Sequence, residues 1–210
     1  MSVKVEIHAD DFGYSLASSR DILDCILKGQ LDSISLMSNM EAFEPSMKML
    51  EASLDKMPFV PAMAIHLNFP EGGKRYDLLP MSWGKLFLRS YLPAQKKLKS
   101  VLKADIKRQI DKADEAIQRI LKEAKKKGIP CRQKALRIDS HVHTHLIPVV
   151  WKALVEVIEE EGYEIEMIRN PKEPFFPFLR EPSLWKTYGF VNVLKNRILM
   201  FYSAKVDRYC

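Results

Sequence analysis

The sequence predicts an α/β fold, on two observations. Short apolar runs of strand length alternate with longer segments whose apolar residues recur at helical spacing. The residues able to do chemistry, above all aspartates and histidines, stand at the C-terminal ends of those runs, where α/β barrels hold their active sites. A chain of 210 residues is long enough for one substantial core, and it is read as a single domain over 1–210. An apolar fraction of 47% with 29% charged residues is that of an ordinary globular protein.

Val3 to Ala9 reads as the first strand, with Val3, Val5 and Ile7 on one face and Asp10 and Asp11 at its C-terminal end. Gly13 permits a tight turn, and Ser15 is placed to cap a helix whose inward residues are Ala17, Ile22, Leu23, Cys25 or Ile26, and Leu27; Gly29 ends it. Ser33 to Ser38 is a second strand, followed by a short helix through Phe43, Met47, Leu50 and Leu54. The third strand, Ala62 to Asn68, carries His66. Pro70, Gly72 and Gly73 open an irregular insertion to about Pro93, with Trp83, Phe87 and Tyr91; such an excursion in a compact domain is disordered or functional, and its aromatics suit either a lid over a site or packing beneath the loop. A long helix follows, with Ile106, Ile110, Ala113, Ile117, Ile120, Leu121 and Ala124 on one face, stopped by Gly128 and Pro130. Leu136 and Ile138 begin a fourth strand that continues into Asp139 to His145. A helix from Pro148 to Glu161, a fifth strand at Glu164 to Ile168 leading into Arg169, and a last helix from Ser183 to Val206 complete the chain.

The stretch Asp139-Ser-His-Val-His-Thr-His145 is the chemical centre of this layout. If it stays extended, Asp139, His141, His143 and His145 share one face. A buried sheet face normally takes apolar residues, so a carboxylate with three imidazoles points to holding a metal or moving protons. The two other histidines, His8 and His66, also close apolar runs, so all five stand at strand ends, which isolated core histidines have no reason to do. Asp10, Asp11, His66, Asp139, His141 and Arg169 then converge on one rim. Two imidazoles and a carboxylate leave coordination positions open, and a metal so bound lowers the pKa of its water and polarises a carbonyl. Of the adjacent Asp10 and Asp11, one can ligate while the other accepts a proton; capping the next helix is the plainer role for such a pair.

The net charge of +6 raises the question of nucleic acid, but much of the excess lies between Lys85 and Lys134, interleaved with acids on the long helix, as on a solvated face. Cys25, Cys131 and Cys210 are few, odd in number and widely spaced, which suits reduced thiols. There is no basic segment followed by an apolar core at the N-terminus, and no apolar run near the ~20 residues that cross a bilayer, so a cytoplasmic protein without membrane attachment is expected.

His8-Ala-Asp-Asp-Phe-Gly13, Ile65-His-Leu-Asn68 and Ile138-Asp-Ser-His-Val-His-Thr-His145 resemble, in the right order over residues 3 to about 171, the three successive motifs of the YdjC-like carbohydrate deacetylases. The resemblance implies a distorted (β/α) barrel of the glycoside hydrolase/deacetylase type. It implies a hydrolase that removes N-acetyl groups from chitooligosaccharides and related acetylated sugars. It further implies a divalent cation on Asp11, His66 and His141, with Asp10 as general base and Arg169 as a substrate contact. Zinc suits these ligands, and the resemblance suggests magnesium as well. Asp139 could then fix the tautomer of a ligating histidine, while His143 or His145 holds substrate or orients Asp139. Two features depart from the family pattern. His8 stands where the motif usually has Asn, and could tune Asp10 or bind substrate. No histidine follows His145 to match a late His-Pro motif suited to supplying a general acid, and five strands are too few to close a barrel. The barrel therefore reads as C-terminally incomplete or as closed by a partner, for which a homodimer is one form. Two competing readings are a remnant that binds metal or sugar without catalysis, and another metal-dependent hydrolase such as a phosphoesterase, although no glycine-rich phosphate loop is present. Nucleic-acid binding would rest on charge alone.

Overall fold

The computed structural model describes residues 5–70, 81–172, 175–186 and 189–209. Five strands, β1 (His8–Phe12), β2 (Ser33–Leu36), β3 (Ala62–Leu67), β4 (Leu136–Ser140) and β5 (Ile165–Ile168), form one parallel sheet in chain order. Parallel neighbours need crossovers, and these carry α1 (Leu16–Leu27), α2 (Phe43–Ala52), α3 (Trp83–Arg89) with α4 (Gln95–Lys126), and α5 (Pro148–Glu161). After β5 come α6 (Phe175–Arg180), a 3-10 turn at Pro182–Lys186 and α7 (Phe190–Tyr209). This is the α/β architecture that the sequence predicts, with β1 and β5 at the edges of an open sheet.

Alternation along the strands sorts the two faces. Ile34, Leu36, Met63, Ile65, Leu67 and Ile138 are buried in one core with Leu23 and Ile26 of α1, Met47 of α2, Ile106, Ile110 and Ile117 of α4, and Leu154 of α5. Each such side chain contributes about 1.5–3 kcal/mol on burial. The lysines of α4 meet acids of α5: Lys99 with Glu156 at 2.5 Å, Lys103 with Glu160 at 2.5 Å and Lys107 with Glu161 at 2.7 Å. Much of the excess charge between Lys85 and Lys134 is thus spent on a ladder between helices.

The opposite face is polar and concave. In a flat sheet β1 and β5 would lie about 19 Å apart, four intervals of ~4.8 Å. Yet Arg169, just after β5, reaches Asp10 of β1 at 2.6 Å, and Arg137 of β4 reaches Glu6 at 2.8 Å. The sheet is therefore curled, as in a distorted barrel.

Four local expectations are corrected. The first strand begins at His8, with Glu6 turned inward to Arg137, so Val5 and Ile7 face outward and are 75% and 55% exposed. Part of the irregular insertion is helical: Ser82 caps α3, Leu86 is buried and Trp83 stacks on Phe87 at 5.2 Å. That run is an amphipathic helix of about two turns. The last helix is divided, because Pro182–Lys186 forms a separate 3-10 turn before α7. The fourth concerns the end of β4 and is taken up with the site. Residues 71–80 of the insertion, Val3 and Cys210 lie outside the described residues. Among the described residues no helix is long and apolar enough to cross a membrane.

Candidate metal centre

The end of β1 separates two adjacent carboxylates. Ala9 lies opposite Ile34 and Phe12 opposite Leu36, three steps on β1 against two on β2, so one residue is extra. Such a bulge re-aims side chains, and Asp11 absorbs it with a left-handed φ of 66°, a conformation that aspartate tolerates better than most residues. Asp11 consequently joins His66 and His141, while Asp10 joins His8 and Asp139. The turn that follows requires glycine: Gly13 has φ 94°, and a Cβ there would lie 3.2 Å from the Phe43 Cα.

The end of β4 departs from the extended geometry. The strand stops at Ser140, and His141–Leu146 is a 3-10 segment in which Val142 and His143 have φ of 48° and 57°. Asp139, His141, His143 and His145 therefore do not share a face, and the last three histidines stand in a turn. The alternation of Asp139, His141, His143 and His145 with Ser140, Val142 and Thr144 imitated a strand, but Ser140 and Thr144 close the turn. Ser140 Oγ accepts from the His145 N–H at 2.9 Å, and Thr144 Oγ1 donates to the His141 carbonyl at 3.1 Å. A β-branched residue such as Val142 in this region stores about 1–3 kcal/mol of strain.

The turn nevertheless delivers His141. Asp11 Oδ1 lies 3.1 Å from His141 Nδ1 and 3.1 Å from His66 Nε2. His66 Nδ1 donates to Asp139 Oδ1 at 2.5 Å, which leaves the Nε2 lone pair turned toward Asp11. That Nε2 is buried and makes no hydrogen bond. Two electron-rich atoms held face to face need a positive charge between them, either a proton or a metal ion. Without a metal the proton serves: burial alone would lower the His66 pKa, but Asp11 and Asp139 outweigh it and push it up to about 9. The His141 hydrogen bond, and after it the neighbouring His66 imidazole, hold Asp11 well below the usual carboxylate range. Donors ~3 Å apart match neighbouring ligands on an ion with bonds of ~2.0–2.2 Å. Asp11, His66 and His141 thus fit a divalent cation on geometry and on donor chemistry.

The second group is already neutralised by side chains. Arg169 lies 2.6 Å from Asp10 and 3.4 Å from Asp139 Oδ2, while His8 Nε2 lies 3.1 Å and 3.5 Å from the same carboxylates. Ser33 donates its hydroxyl proton to Glu6 at 2.6 Å, so it accepts from His8 Nδ1 at 2.6 Å. Burial opposes charge on His8, but Asp10 and Asp139 raise its pKa. Burial likewise raises Asp10, but the His8 hydrogen bond and the Arg169 charge more than offset it and lower the pKa. Asp139, 1% exposed, joins the two groups through one oxygen to His66 and the other to His8 and Arg169. The sequence marks Asp139 as an orienting partner but carries no sign of Glu6, Ser33 or Ser35, whose hydroxyl lies 3.0 Å from His66 Nδ1. The alternation of Ser33 and Ser35 with Ile34 and Leu36 along β2 is the signal that could have found those two.

A family model described as YdjC-like protein matches residues 4–122, more than half of the 210. The chain belongs to the YdjC-like family. Among curated relatives, a carbohydrate deacetylase of Danio rerio is 25% identical over 191 residues, 84% of this chain and 52% of the relative. A carbohydrate deacetylase of Mus musculus is 25% identical over 181 residues, 81% of this chain and 51% of the relative. The chain spans about half the length of the curated relatives it matches.

Two more histidines of this YdjC-like chain take different places. His143 lines a cavity beside Arg169, and burial followed by the Arg169 charge lowers its pKa. His145 is fully buried: its Nε2 donates to the Arg169 carbonyl at 2.9 Å, so Nδ1 accepts from the Ser140 hydroxyl at 2.6 Å. It is a neutral strut behind Arg169. Burial depresses its pKa from 6.5 to about 4, so its stabilising effect is present above about 6.5 and is lost as pH falls toward 4. His145→Ala is expected to cost about 2–4 kcal/mol in chemical denaturation at pH 7.5, from the cavity and the unpaired carbonyl. A loss below about 0.5 kcal/mol would contradict the strut.

Proposed function

We propose that the chain is a metal-dependent deacetylase, hydrolysing the N-acetyl groups of carbohydrates such as chitooligosaccharides. The observation that carries this reading is the division of Asp10 from Asp11: one carboxylate faces two imidazoles at ligand spacing, and its neighbour stays off that set. Family membership and the relatives named carbohydrate deacetylase support the substrate class. Asp11, His66 and His141 would hold zinc or magnesium, which when bound polarises the acetyl carbonyl and lowers the pKa of water. Asp139 fixes the His66 tautomer through Nδ1. Asp10 takes a proton as water adds to the carbonyl carbon, and His8, 3.1 Å behind it, shares that proton until the C–N bond breaks and the amine nitrogen receives it. Arg169 holds Asp10 in place from the other side.

One observation favours a second reading. The 2.6 Å ion pair with Arg169 makes Asp10 a weak base unless substrate draws the guanidinium away, which suits a protein that binds metal and sugar without turnover. Acetate release from N-acetylated chitooligosaccharides, with and without zinc or magnesium and with a His66→Ala control, separates the two. The deacetylase gives metal-dependent acetate that disappears in the control. One metal per chain with no acetate from any acetylated sugar would leave the binding-only reading.

A further inference from the structure

Ser35 stands where the two carboxylate groups meet. It is fully buried on β2, and it alternates with Ile34 and Leu36, which belong to the core on the other face of the sheet. Its hydroxyl lies 3.2 Å from Asp10 Oδ1 and 3.0 Å from His66 Nδ1. A hydroxyl has one proton to give, and here only one direction is open to it. His66 Nδ1 already carries the proton that it donates to Asp139 at 2.5 Å, so it can only share that N–H with Ser35 Oγ, and the Ser35 proton goes to Asp10. A single buried hydroxyl thus joins a proposed metal ligand to the proposed general base.

Three contacts fall on the same oxygen of Asp10. Arg169 at 2.6 Å, His8 Nε2 at 3.1 Å and Ser35 at 3.2 Å all meet Oδ1, and Oδ2 takes none of the three. The three differ in character. Arg169 and His8 reach Asp10 on longer side chains, and the guanidinium neutralises the carboxylate that it touches. Ser35 has one side-chain torsion, lies on a strand flanked by β1 and β3, and is uncharged, so it holds Oδ1 without cancelling the charge on Asp10.

We infer that Ser35 is a positioning residue for Asp10: it anchors Oδ1 beside His66, so that Oδ2 is the oxygen presented to the attacking water, and it keeps that anchor when substrate draws Arg169 away. The inference rests on the deacetylase reading for the role of Asp10 as a base. The anchoring itself rests on the hydrogen bonds of Ser35 alone.

The test compares the full chain with its Ser35→Ala and Ser35→Thr variants, each loaded with zinc, with circular dichroism checking the fold. Three quantities are read: zinc affinity by competition with a chelator, kcat and KM for acetate release from N-acetylated chitooligosaccharides, and the Asp10 rotamer in crystals. Ser35→Ala is expected to lower kcat about tenfold, as loss of one hydrogen bond at the base provides, with KM within about twofold. Zinc affinity should stay within about threefold, because Asp139 still holds His66 Nδ1. Asp10 should spread over two rotamers or turn Oδ1 out of its place. Threonine keeps the hydroxyl and its β-branching suits a strand, so Ser35→Thr should hold kcat within about threefold of the unsubstituted chain. An unchanged Asp10 rotamer in Ser35→Ala, a kcat within about twofold of the unsubstituted chain, or a tenfold fall in zinc affinity would each overturn the inference. Absence of acetate release from the unsubstituted chain, with the Asp10 rotamer lost in Ser35→Ala, would overturn the deacetylase reading alone.

Discussion

His141→Ala is expected to abolish stoichiometric metal binding and, with it, metal-dependent acetate release. The proposed set has one carboxylate and two imidazoles, and His141, delivered by a strained turn, supplies the second imidazole. Losing a residue that merely orients a ligand costs about 10–100-fold in affinity, and losing the ligand itself should exceed that. The measurement is metal content after dialysis and affinity by competition with a chelator. In the unsubstituted chain affinity should also rise with pH up to about 9, because a proton on His66 competes with the ion below that value. Full metal content in His141→Ala would remove it from the ligand set.

Asp10→Asn is expected to leave metal affinity within about threefold and to lower kcat by about 10²–10⁴, the range for loss of a general base. The amide keeps the shape of the carboxylate and can still meet His8 and Arg169, but it cannot accept the water's proton. Asp11→Asn should do the reverse and lose the metal, since Asp11 is the carboxylate between the two imidazoles. Adjacent residues with opposite phenotypes would confirm that the bulge in β1 divides the pair. Loss of metal in Asp10→Asn, or unchanged turnover, would show that the division of labour is otherwise.

The short apolar runs holding Met63, Ile65 and Leu67 and then Leu136 and Ile138 were enough to place β3 and β4, because a strand buried on both faces reads as a short, largely apolar run. The helix from Pro148 to Glu161 was equally legible, since Pro at its first turn is a local start signal and Gly162 in a left-handed cap a local stop signal. His141 to His145 misled because a histidine at every second position does not distinguish a strand from a turn closed by Ser140 and Thr144 hydroxyls. Glu6, Ser33 and Ser35 went unread for a different reason. Their partners are 25 to 131 residues away, on neighbouring strands for Ser33 and Ser35 and across the curled sheet for Glu6.

The sequence by itself determined the α/β class, the succession of strands and helices along the chain and the supply of donors at strand ends, because each of these is set by local periodicity and by residue type. Only the tertiary structure decided which carboxylate faces which imidazole. That choice depends on the dihedral angles of single residues, Asp11 and His143 above all, and on the curl that carries Arg169 back to Asp10. Packing of the whole sheet against its helices imposes both, and neither leaves a mark in the spacing of residues along the chain.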